Sequence, residues 1–125
     1  MRLLLDTHII IWALSDPDKL SAEAKSLIQK AEQLFVSSAS IWEMSIKSSI
    51  GKLEVDLDVI TTELDDMGVI ELPVTWEHSK KVKTLEYFHR DPFDRLLIAQ
   101  AICEPLVLLT HDDILTKYTD LVRLV

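Results

Sequence analysis

Arg2-Leu3-Leu4-Leu5-Asp6-Thr7-His8-Ile9-Ile10-Ile11-Trp12 changes character at its acid. Three leucines without polar alternation suit a strand covered on both faces, as in a parallel sheet. Asp6 closes that run, and the apolar stretch Ile9 to Leu14 continues as a helix. A strand that feeds straight into a helix is the opening of a βαβ unit.

The same grammar repeats along the chain. Short apolar runs stand at Leu34 to Val36, Val69 to Leu72, Val107 to Leu109 and Leu121 to Val125. Helical patterns lie between them. Leu20, Ala24, Leu27, Ile28 and Ala31 form one stripe at 3.6-residue spacing, with Ser21 as N-cap. Ser40 to Ile50 and Asp56 to Met67 follow, with Gly51 and Gly68 placed to end them. Thr75 to Phe88 makes a fourth helix, and Pro92 to Cys103 a fifth, stopped by Pro105. Alternation of this kind predicts an α/β domain, residues 1–125, around a mostly parallel sheet. Sites in such sheets form outside the carboxyl ends of the strands, where Asp6 and Asp112 fall.

With 48% hydrophobic and 27% charged residues, the 125-residue chain has a globular balance and enough length for a core. There are no repeats, low-complexity tracts or Pro/Gly-rich linkers. The single cysteine, Cys103, excludes an internal disulfide and reads as a buried thiol. Asp6 and His8 interrupt what would otherwise resemble a signal peptide, and no segment reaches the roughly 18–20 apolar residues of a membrane span. A cytoplasmic protein is expected. The net charge of −8 disfavours a long phosphate-tracking surface, although Lys80, Lys81, Lys83 and Arg90 cluster locally. That cluster also fits a solvated helix face.

Four acids sit where helices meet strand ends: Asp6, Glu43, Asp94 and Asp112. Each has a structural explanation. Asp6 suits an N-cap, and Ser40-Ile41-Trp42-Glu43 suits a capping box with Glu43 ready to pair with Lys47. Asp91-Pro92-Phe93-Asp94 reads as N-cap, Pro at N1 and an acid favoured by the helix dipole. Thr110 with Asp113 fits a capping pair that releases Asp112. Ile46 and Ile50 place Glu43 on an apolar face. Gathered at one rim, however, four like charges repel strongly unless protons or a cation intervene. Such a carboxylate set suits Mg²⁺ or Mn²⁺ and phosphodiester hydrolysis by water of lowered pKa. The histidines carry less information, because hard oxygen-rich sites need no imidazole. Trp12 and Trp42 read as core. No Walker loop, dinucleotide fingerprint or zinc spacing occurs.

Four blocks carry a resemblance. They are Leu4-Leu5-Asp6-Thr7-His8, Ser40-Ile41-Trp42-Glu43-Met44-Ser45-Ile46-Lys47 with Gly51-Lys52-Leu53, His89-Arg90-Asp91-Pro92-Phe93-Asp94-Arg95-Leu96-Leu97-Ile98-Ala99-Gln100-Ala101, and Leu108-Leu109-Thr110-His111-Asp112. In order and spacing the chain resembles the PIN-domain ribonucleases, in particular the VapC-type toxins of bacterial toxin–antitoxin modules. The resemblance implies a three-layer α/β/α sandwich and a metal-dependent endoribonuclease, with a silent PIN-like binding module as the alternative. It implies Asp6, Glu43, Asp94 and Asp112 as metal-binding acids, with Thr7, Thr110, Lys47, Asp91 and Arg95 in support. It also implies an RNA substrate, a homodimer and a cognate antitoxin with an Arg or Lys that reaches the acids.

Overall fold

Every one of the five apolar runs forms a strand, and all pair in parallel. The computed structural model describes residues 1–125. Strands β1 (Arg2–Leu5), β2 (Gln33–Ser37), β3 (Ile70–Leu72), β4 (Val107–Thr110) and β5 (Val122–Leu124) build one sheet in the order β3-β2-β1-β4-β5. The chain winds outward from β1 to β3, then returns to the other side of β1 for β4 and β5. The reversal therefore lies between β1 and β4, with Leu5 opposite Leu109. This is the crevice where sheets of this type bind ligands.

Period-two alternation sorts the leucines of β1. Leu3 and Leu5 face a core with Ile9, Ile10, Val36, Met44 and Leu109, while Leu4 faces Phe35, Leu97, Ile98 and Leu108. Full burial of each such side chain is worth about 1.5–3 kcal/mol. Helices α1 (Thr7–Ser15), α2 (Ala22–Lys30), α3 (Ser38–Ser49) and α4 (Leu57–Asp66) contribute to the first core. Helix α6 (Pro92–Cys103), with α5 (Trp76–Lys81) packed against it, covers the other face. The result is the expected three-layer α/β/α arrangement. No helix is long and apolar enough to cross a membrane.

Several local expectations hold. Ser21 caps α2, Asp56 caps α4, and Gly51 and Gly68 follow their helices at φ +76° and +75°. Those angles lie in the left-handed region that glycine tolerates without steric cost.

Other expectations are corrected. Helix α3 begins at Ser38 with Ser37 as its cap, so Glu43 is mid-helix and belongs to no capping box. Ile46 and Ile50 are partly exposed, and Trp42 is 60% exposed. These three residues lie at i, i+4 and i+8, one outward stripe, and Glu43 is rotated away from it toward α1. The helix expected to run to Phe88 stops at Lys81 and tightens into a 3₁₀ turn, Val82–Thr84. The chain turns extended at Leu85, and the Arg95 guanidinium bonds the carbonyls of Val82 and, in the loop that follows, Glu86 and His89. Cys103 is half-buried rather than buried, and burial pushes its thiol pKa up.

Candidate active site

Asp6 leaves the end of β1 and caps α1, with Oδ1 accepting the Ile9 N–H at 3.1 Å. Its Oδ2 accepts the Thr110 hydroxyl at 2.6 Å. Asp6 therefore caps α1 as the sequence suggested, and it is only 4% exposed at the sheet's carboxyl rim. Burial first, partly offset by these hydrogen bonds, raises the Asp6 pKa above the usual carboxylate range.

The Thr110 hydroxyl also accepts the Asp112 N–H at 3.1 Å. Asp112, not a Thr110–Asp113 pair, caps the following 3₁₀ helix (Asp113–Lys117), through Oδ1 to the Ile114 N–H at 3.0 Å. Its other oxygen, Oδ2, stays turned toward the cavity. The capping reading of Asp113 is overturned, and the assignment of Asp112 to the rim stands.

Asp91 caps α6 by accepting the N–H groups of Phe93 and Asp94. This fixes Asp94 one turn into the helix with its carboxylate free to face the rim. Burial, then the charges of Asp91 and Asp6, push the Asp94 pKa up to about 7; His89 opposes this and Glu43 adds to it. Burial leads because desolvation acts on each carboxylate whether or not its neighbours are ionised.

His89 is the residue that sequence reasoning undervalued. Its Nε2 lies 2.9 Å from Asp94 Oδ2 and 3.2 Å from Asp112 Oδ2. Its Nδ1 accepts the Arg90 N–H at 3.0 Å, so in the neutral ring the proton resides on Nε2 and points between the two carboxylates. These three side chains place their donor atoms within 4.8 Å of one another. The only sequence signal was position: His89 lies five residues before Asp94, beyond the helix start.

Glu43 is buried, with one hydrogen-bond partner on each carboxylate oxygen. Oε1 accepts the Thr7 hydroxyl at 2.8 Å and Oε2 pairs with Lys47 at 2.7 Å. The hydrogen bond to Glu43 is the main cause that raises the Lys47 pKa. With the Thr7 proton given to Glu43, the Ser40 hydroxyl donates to Thr7 Oγ1 at 3.0 Å, tying α3 to α1. Asp6, Asp94, Asp112 and also Asp113 line one cavity of about 360 Å³ with His8, Trp12 and His111; Glu43 is not on its wall. Trp12 is half-buried there, edge-on to His111 at 5.3 Å between ring centres. Arg95 is placed differently from the expectation. It turns away from the acids, with its guanidinium 4.1 Å from the centre of the Tyr87 ring.

The donor set fits a hard divalent cation. Asp94 and Asp112 bring carboxylate oxygens within 4.8 Å of each other, with His89 Nε2 between them, and Asp6 retains lone pairs beyond its two hydrogen bonds.

A family model described as PIN domain matches residues 3–121. Ribonuclease VapC22 of Mycobacterium tuberculosis (strain ATCC 25618 / H37Rv) is 29% identical over 112 residues, covering 87% of this chain and 85% of that protein. Among solved structures, VapBC2 from Rickettsia felis bound to a promoter DNA fragment superposes with a TM-score of 0.70. It is 18% identical and covers 100% of this chain and 98% of that chain. FitAcB from Neisseria gonorrhoeae gives 0.62 at 17% identity, covering 88% and 87%. At these identities the two structures show the fold.

Proposed function

Because this chain belongs to the PIN domain family, we propose that it is a ribonuclease, the toxin of a toxin–antitoxin pair. In this reading Asp6, Glu43, Asp94 and Asp112 hold Mg²⁺ or Mn²⁺ for hydrolysis of RNA phosphodiester bonds. The observation that carries it is the shared cavity wall of Asp6, Asp94 and Asp112, with the oxygens of Asp94 and Asp112 within 4.8 Å of each other beside His89. The similarity to Ribonuclease VapC22 supports the reaction class.

When bound, the cation supplies Lewis acidity to the phosphate and lowers the pKa of water. The chain's own groups prepare that site. Thr110 orients Asp6 and anchors Asp112, while Asp91 fixes the first turn that carries Asp94. His89 donates its Nε2 proton toward Asp94 and Asp112 and so relieves their repulsion. Thr7 and Lys47 each hold one oxygen of Glu43 and so orient the carboxylate that would complete the cation set. Arg95 acts from outside, through the backbone that leads to His89.

The partner reading is a cognate antitoxin, in line with the VapBC and FitAB composition of the structural neighbours. An Arg or Lys of that partner would compete for the same carboxylates through charge-assisted bonds. The exposed stripe Trp42, Ile46 and Ile50 offers apolar anchors for an amphipathic helix of that antitoxin, and a homodimer belongs to the same reading. An RNA target puts the protein in the cytoplasm.

The position of Glu43 off the cavity wall favours one rival, a PIN-like module that binds without cutting. Incubating RNA with the wild type and with D6N, in Mg²⁺ or Mn²⁺ and then with chelator, separates the two. Metal-dependent cleavage lost in D6N supports the nuclease. Its absence in the wild type leaves the binding module.

A further inference from the structure

The basic cluster noted in the sequence does not form one patch. Lys80 and Lys81 border Ile102 and Cys103 at the far end of α6, whereas Arg90 adjoins His89 at the acidic rim. Between them the chain exposes two aromatic rings: Tyr87 is 77% exposed and Phe88 42% exposed. Across residues 76–90 four cations face two acids, in a chain of net charge −8. This stretch is thus basic and aromatic where most of the chain is acidic.

The rings are not loose. The Arg95 guanidinium covers one face of Tyr87 and grips the Glu86 carbonyl at 2.9 Å. Phe88 meets Tyr118 edge-on at 5.1 Å, with the Lys117 ammonium 6.0 Å from the Phe88 ring centre. The Tyr118 hydroxyl accepts both the His89 N–H, at 2.9 Å, and an Arg95 N–H, at 3.1 Å. A buried guanidinium with no carboxylate partner and a tyrosine hydroxyl therefore fix a segment that holds two large rings in water. The next residue, His89, reaches Asp94 and Asp112. Fold stability alone does not call for exposed rings held so firmly. A ligand with flat faces and negative charge matches them, because it stacks on aromatics and is drawn by adjacent cations.

We propose that Tyr87 and Phe88 form a stacking platform for unpaired bases of single-stranded RNA, flanked by Lys117 and Arg90, that leads the strand to the acidic cavity. This deepens the ribonuclease reading and rests on it for the purpose of the surface. Single strands are specified because bases inside a duplex keep their faces covered. Preorganisation by Arg95 and Tyr118 lowers the ordering cost of binding. The platform also answers how so acidic a protein attracts a polyanion: the contact is local and beside the acids.

The test is anisotropy of a fluorescein-labelled oligouridylate, titrated with D6N protein so that cleavage does not interfere, against the same label in a duplex. Adding Y87A/F88A to D6N is expected to weaken single-strand binding by about tenfold or more, the range of lost base stacking. Y87F/F88Y, which keeps both rings, is expected to bind within about twofold of the parent. Should the alanine pair fail to fold by circular dichroism, Y87L/F88L keeps apolar bulk without aromatic faces and predicts the same loss. Unchanged affinity in the folded ring-less variants overturns the platform, as does equal loss in Y87F/F88Y. RNA cleavage by the wild type, assayed separately, distinguishes the two ideas. Cleavage with no effect of ring removal rejects the platform and keeps the nuclease, and absence of cleavage rejects the nuclease.

Discussion

Thr110 binds Asp6 across the central strand pair: its hydroxyl donates to Asp6 Oδ2 at 2.6 Å and accepts the Asp112 N–H at 3.1 Å. The two residues stand 104 positions apart in sequence. One fully buried hydroxyl thus sets the orientation of the first acid and the backbone of the last. Such a relay works because a hydroxyl donates once and accepts twice.

Thr110→Val keeps the shape and removes the relay. Asp6 Oδ2 and the Asp112 N–H lose their partner, and an unmet buried polar group costs about 1–3 kcal/mol. Urea denaturation is expected to show that loss. Cleavage is expected to drop by about 10–100-fold, as for other residues that orient ligands. Unchanged stability would show that water replaces the hydroxyl.

Asp6→Asn removes charge with little change of shape. Cleavage is expected to fall further than the about 10–100-fold typical of supporting residues. The far-ultraviolet circular dichroism should match the wild type. Burial raises the Asp6 pKa, so its ionised form is disfavoured and the substitution is not expected to unfold the metal-free protein. Full metal-dependent activity in this variant would remove Asp6 from the centre.

Asp94 provides a pH signature. Its pKa is raised to about 7 in the fold, above an unfolded value near 3.9. The folded state holds the extra proton between those values, so this group's contribution to stability falls as pH rises from about 4 to about 7 and is level above that. In chelator, Asp94→Asn is expected to raise the thermal midpoint relative to wild type at pH above 7. The gain should shrink toward pH 4, where the wild-type carboxyl is already neutral. A difference that is constant across this range would contradict the raised pKa.

Arg95→Lys tests the support beneath His89. A lysine lacks the planar fork that reaches the carbonyls of Val82, Glu86 and His89 together with Tyr118. We expect cleavage to fall by about tenfold or more while α6 remains folded. Hydrogen exchange should quicken in residues 82–89 and stay slow in Leu97 to Ala101. Equal loosening of both stretches would make Arg95 a general stabiliser instead.

Much of the fold was legible because its signals are local. Unalternating runs such as Leu3-Leu4-Leu5 and Val107-Leu108-Leu109 mark strands buried on both faces, and Asp91-Pro92 marks the start of α6 at the residue observed. Helix ends set by one side chain, as at Ser21 and Asp56, were legible for the same reason. Glu43 shows the limit. Its neighbours fit a capping box, but Ser37 captures the start of α3 earlier, and no local pattern separates two competent serines six and three residues before an acid. Phe88 shows another. The helical pattern reached it, whereas the chain turns extended at Leu85 and the following loop is held by the Arg95 guanidinium of another helix.

The sequence by itself determined the order of elements, the parallel sheet and the acids at its rim, since periodicity, caps and strand-end position are written in neighbouring residues. Tertiary structure alone decided which acids share a wall, that Glu43 is held by Thr7 and Lys47, and that His89 stands between Asp94 and Asp112. It also decided that Tyr87 and Phe88 face water. Those facts depend on distances across chain folds, where a carboxylate's environment is set by desolvation and by partners up to 104 residues away.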